Sequence, residues 1–228
     1  MVEEEINTID LAKGDIISSH IVQDVQIIKE ISISIIFSAV AVASTTVLLI
    51  IPNLETLSLI FFIVGIKYGI KTSFSTVITS WIIFEFFATQ FYSTGGPIVF
   101  FLKLPPFLLI ALVGSLLGSD YRKINAIKDD DASDSLVTVH PLIFGLIGLI
   151  LTINYDIITS LFILTFVPSF EAFFVNFVLG IPMLLFHQFT NFILFSWIPR
   201  ILIVLEKADT LTLTGAGIKI LVSVMEIT

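Results

Sequence analysis

The chain of 228 residues contains no cysteine. That excludes a disulfide framework, a thiolate metal site and a thiol redox centre. Charge is also scarce: 13% of residues are charged against 56% hydrophobic, and mean hydropathy is +1.06. A water-soluble domain of this length is far less apolar. Several catalytic signatures are missing as well. There is no GxxxxGK[ST] phosphate loop, no HExxH pair and no GxSxG elbow, so P-loop nucleotide hydrolysis, zincin chemistry and hydrolase-type acyl transfer have no support. No cofactor is expected. The N-terminus lacks a basic stretch joined to an apolar core, so it does not read as a signal peptide. A net charge of −8 argues against a nucleic acid partner.

What charge there is follows a pattern. Ten of the eleven basic residues are Lys13, Lys29, Lys67, Lys71, Arg122, Lys123, Lys128, Arg200, Lys207 and Lys219, separated by long apolar segments. The intervening connections near 52–56, 90–97 and 166–171 hold none. Cytoplasmic loops retain Lys and Arg. The pattern therefore predicts an all-α integral membrane protein with an even number of crossings and both termini in the cytoplasm. The acidic cluster Asp129, Asp130, Asp131 and Asp134 carries little weight in that rule.

About 20 residues cross the hydrocarbon core. The apolar runs predict six spans at 30–51, 55–70, 72–92, 98–118, 138–166 and 181–205. Residues 1–29 and 207–228 are then cytoplasmic tails around a membrane domain of 30–206. Gly180 and Pro182 predict a break, which leaves 170–180 as a short helix at the outer surface, the alternative being one long continuous helix. Residues 16–28, 210–214 and 218–224 look strand-like, being β-branched or alternating.

Ionisable groups inside spans are expensive and each needs a reason. Apart from those at the span ends and beside the basic loops, four occur: Glu85, Lys103, Asp156 and His187. With this topology all four fall between the midplane and the outer surface, on four different spans. Randomly scattered charges would not collect in one half, and a cavity open to the outside accounts for them. Asn191 lies four residues after His187 and shares its face. Asn53, Glu55 and Tyr155 lie near the same end, and Phe84, Phe86, Phe87, Phe100, Phe101, Phe186 and Phe189 supply aromatic surface. The plainer reading is that one His or Asn in a bundle bonds a neighbouring helix, and that Lys103 forms a structural ion pair with Glu85 or Asp156. The shared depth of the four favours a site.

Small residues recur at helical spacing. Gly65 and Gly69, Gly114 and Gly118, and Gly145 and Gly148 suit close packing within the bundle. The first span, with Ser34, Ser38, Ala39 and Ala43, has a small-residue face that could meet another protein.

Four short motifs, Pro52-Asn53-x-Glu55, Tyr155-Asp156, Gly180-x-Pro182 and His187-x-x-x-Asn191, stand in an order and topology that resemble the substrate-binding S components of energy-coupling factor (ECF) vitamin transporters. The resemblance covers roughly 35–207. It implies a six-helix fold with a vitamin-sized pocket near the outer face. It also implies an AxxxA-type face on the first helix, matched by Ala39 and Ala43, that docks on a membrane coupling subunit driven by two separate ATPases. The acidic ends and the Asp-rich loop depart from that family. The rivals are a secondary transporter using Glu85 or Asp156 as proton carrier, an intramembrane enzyme, and a structural membrane protein.

Overall fold

The computed structural model describes residues 2–48, 56–91, 97–127, 140–161 and 169–215. They form seven helices: α1 (Val2–Leu48), α2 (Leu57–Tyr68), α3 (Ile70–Phe91), α4 (Pro97–Ile127), α5 (Pro141–Leu161), α6 (Phe170–Ser196) and α7 (Ile198–Gly215). There is no strand among the described residues. The expected strands at 16–28 and 210–214 are turns of α1 and α7, while 218–224 lies outside the described residues. β-Branched runs favour strands only when a neighbouring strand can pair with them. Here each continues an established helix, where adding a residue is easier than starting a sheet.

Among the described residues, four stretches are long and apolar enough to cross a bilayer: Gln23–Leu48, Lys103–Asp120, Pro141–Leu161 and Phe173–Glu206. Their outward surfaces are apolar, with Ile36, Ile150 and Leu179 each at least 60% exposed. Acyl chains can cover such surfaces without cost, so the chain has the build of a membrane protein. α3 has comparable length, and the hydroxyls of Thr72, Ser73, Thr76 and Ser80 are turned into the protein.

α2 is the centre. Its 12 residues are apolar nearly all round, and Phe61, Phe62 and Val64 are fully buried. A helix apolar on every side belongs inside. It meets α4 at backbone distance: a Cβ on Gly65 would come within 2.6 Å of the Ala111 carbonyl oxygen. A Cβ on Gly114 or Gly118 would strike the carbonyls of Phe62 and Ile66. The expected packing role of these glycines is thus realised, and Gly145 and Gly148 admit Phe192 and Phe195 of α6 in the same way. Gly69 turns the chain at φ +86°, a conformation other residues adopt only with strain. Beside it Arg122 donates from Nη1 to the carbonyls of Gly65 (2.8 Å) and Ile66 (2.7 Å), and from Nη2 to that of Ser115 (2.9 Å). The first two lie in the last turn of α2, where a cation suits the helix dipole, and the third is on α4. Burial pushes the Arg122 guanidinium below its ordinary pKa.

α1 lies against α3 through hydroxyls. Ser34 Oγ donates to Ser75 Oγ at 2.9 Å, and Ser38 Oγ to the Thr76 carbonyl at 3.2 Å. Ser34, Ser38, Ala41 and Thr45 form the buried stripe, whereas Ala39 and Ala43 are on the exposed side. The small residues of this span therefore divide between two faces. α1 begins at Val2, so the boundary expected at 29 falls within one helix.

The break expected before residue 181 is absent. α6 runs unbroken through Gly180 and Pro182, which corrects the reading of 170–180 as a separate surface helix. A proline in an apolar helix removes one backbone bond, and neighbouring turns can absorb that. The chain breaks fifteen residues later, at Trp197. Pro199 cannot donate to the Phe195 carbonyl, Trp197 N turns to Leu194 O at 3.1 Å, and Pro199 then sits in the first turn of α7, where it is tolerated.

Candidate functional site

α5 buries a stripe of Gly145, Gly148, Thr152 and Asp156. α6 buries His187, Asn191 and Phe195, spaced one turn apart. The two helices run antiparallel and close. The Phe195 ring occupies the space over Gly148, and Asp156 Oδ1 lies 2.8 Å from His187 Nδ1. Both contacts fit one register, which puts Asn191 level with Thr152.

With the carboxylate ionised, Nδ1–H donates to Oδ1. Both side chains are over nine-tenths buried, so the pair is shielded from bulk water and its members depend on each other. Thr152 Oγ donates to its own helix at Gly148 O, 2.8 Å away. Asn191 is buried with neither side-chain polar atom hydrogen-bonded, and Asp156 Oδ2 is likewise unmatched among the described residues.

Aromatic rings join this polar seam to α3 and α4. Tyr155 meets His187 edge to face at 5.9 Å and Phe107 at 5.2 Å. Phe107 lies 5.1 Å from Trp81, on which Phe84 stacks at 5.8 Å. Lys103 Nζ lies over the Trp81 ring, 5.8 Å from its centroid. Such contact favours a cation over a ring in a poorly solvated setting. A continuous path thus runs from Lys103 through Trp81, Phe107 and Tyr155 to the Asp156–His187 pair. Glu85 is buried on α3 one turn beyond Trp81, on the same face.

Of the residues singled out from sequence, Tyr155, Asp156 and His187 are in contact, Asn191 adjoins them along α6, and Lys103 is linked through rings. Asn53 and Glu55 lie outside the described residues. The expected aromatic wall is only partly there. Phe86, Phe101, Phe186 and Phe189 face outward at 42–67% exposure, while Phe84 points inward; the side chains of Phe87 and Phe100 are outside the described set. The wall is built instead by Trp81 and Phe107, which sequence reading passed over. A signal was present: Trp81 precedes Glu85 by four residues and Phe107 follows Lys103 by four, so each ring shares a helix face with an ionisable group.

No protein-family model, curated protein or solved structure matches this chain.

Proposed function

We propose that the chain is the substrate-capture S component of an ECF-type importer for a vitamin or related micronutrient. The observation that carries this reading is the buried polar seam of Asp156, His187 and Asn191 with rings along one side. Small-molecule sites have this make-up, with apolar aromatic surface and a few placed polar groups. In the proposed arrangement the membrane is crossed six times, α6 and α7 together forming the last, bent crossing, and both termini are cytoplasmic. Ligand enters from outside. The subunit then reorients, with the exposed Ala39–Ala43 face of α1 docked on a membrane coupling subunit and ATP hydrolysed on two separate partner subunits.

A second reading is favoured by one specific contact. Asp156 and His187 form a buried pair able to hold or release a proton, as a proton-coupled secondary transporter requires. An intramembrane enzyme has less behind it, since no nucleophile–base pair is among the described contacts.

Native mass spectrometry of the intact chain, purified in mild detergent from a source supplied with rich medium, tests capture itself. The expected result is one small molecule bound per chain and released chemically unchanged. A released molecule converted to product would favour the enzyme reading and remove this one.

A further inference from the structure

The ligand's chemistry is constrained by what the seam lacks. Asn191 is 1% exposed. Its Oδ1 and Nδ2, and the Oδ2 of Asp156, have no hydrogen-bond partner among the described residues. Folded proteins seldom leave such atoms unmatched, because burying them without a partner is costly. Two of the three are acceptors and one is a donor. The group that completes the seam must therefore supply two donors and one acceptor.

Most ligand classes fail that count. A metal cation could use Asp156 Oδ2 and Asn191 Oδ1 but would leave Nδ2 without an acceptor. No cluster of three His, Asp or Glu suited to a metal occurs among the described residues. An ionised carboxylate offers acceptors only and would leave Asn191 Oδ1 and Asp156 Oδ2 without donors, as would a fully ionised phosphate. An apolar group satisfies none of the three.

We propose that the seam binds the uncharged edge of a planar nitrogen heterocycle, of cyclic urea or aminopyrimidine type. Asn191 Nδ2 donates to the ligand's carbonyl or ring nitrogen. One ligand N–H donates to Asn191 Oδ1 and a second to Asp156 Oδ2. Tyr155, already in ring contact with His187 and Phe107, offers flat surface of the kind such rings pack on. The assignment rests on the capture reading and narrows it from vitamins in general to those bearing such an edge.

Thermal unfolding of the full-length chain in detergent, with titrated ligand, tests it. Biotin presents a cyclic urea and thiamine an aminopyrimidine, each with two N–H donors beside an acceptor; riboflavin's imide edge has one N–H, and lipoate has a carboxylate and no planar edge. At least one of the first two should raise the unfolding midpoint, and riboflavin and lipoate should not. Asn191→Leu should weaken that binding about five- to hundred-fold, the loss expected from a half-made buried contact. Asn191→Ser serves if leucine is not accommodated. Binding of riboflavin or lipoate without biotin or thiamine, binding of none of the four, or unchanged affinity in the Asn191 variants would overturn the assignment, the last meaning that water fills the seam. Those failures leave capture standing if another small molecule co-purifies unchanged. A chain that carries no ligand at all would remove both.

Discussion

Asp156→Ala lowers the thermal midpoint and, in the fraction that remains folded, weakens ligand binding more than any other single change in the seam. The carboxylate is the partner of a buried imidazole at 2.8 Å. Removing one member of a buried pair leaves the other unmatched, at a cost of about 3–5 kcal/mol when both are charged and roughly 1–3 kcal/mol for a neutral hydrogen bond. Either is a large share of the stability of an ordinary domain. Loss of folding alone would not distinguish a strut from a site. The double variant Asp156→Leu/His187→Leu does. Replacing both members with apolar groups of similar bulk is often neutral for stability, so the double variant should recover most of the midpoint. If the pair contacts ligand, binding stays lost. Wild-type affinity in a restored double variant would reduce the pair to a helix-to-helix strut.

Ala39→Leu and Ala43→Leu should each leave folding and ligand affinity unchanged while cutting uptake by about tenfold or more. Both residues are on the exposed side of α1, away from the stripe that packs on α3. Added bulk there points away from the contact with α3. Close helix contacts depend on small residues, and a loss of roughly 1.4 kcal/mol in docking is already tenfold in occupancy. Uptake measured alongside ligand affinity in the same membranes checks this. Normal uptake in both variants would take the docking role away from this face. Ser34 and Ser38 are the contrast, because their hydroxyls bind α3 and their replacement by leucine should disturb the fold itself.

Much of this was legible in the residues, for identifiable reasons. Bilayer crossing demands long apolar runs, so the helix containing 72–92 comes close to its expected ends, at Ile70 and Phe91, and that of 98–118 starts at Pro97 but runs on past 118 to Ile127. The glycine spacing of α2 and α4 announced a close crossing because only glycine lets two backbones approach so nearly. Asp156 and His187 stood out because ionisable groups in apolar spans are costly, and the fold does bring them together. The misreadings have physical causes too. Pro182 was given the force it has in water, where a freed carbonyl can bond solvent and the helix can end; in an apolar setting the helix carries on. The helix end depends instead on Pro199. Phe86, Phe101, Phe186 and Phe189 were expected to line a site, yet a span surrounded by acyl chains has no need to turn aromatic residues inward. Their direction depends on which face meets α4 or α5, and spacing relative to Glu85 and Lys103 marks that face better than aromatic content does. The strands expected at 16–28 and 210–214 failed because a short β-branched run does not determine its own state.

Energy coupling separates the proposed importer from its nearest rival. The measurement is uptake of the co-purifying small molecule by intact cells that express the chain with their native membrane partners, after either depletion of ATP or collapse of the proton gradient with ATP held constant. The account predicts that uptake stops when ATP is depleted and continues when only the gradient is removed. Uptake that survives ATP depletion and stops on collapse of the gradient would contradict it, and would make the Asp156–His187 pair a proton carrier.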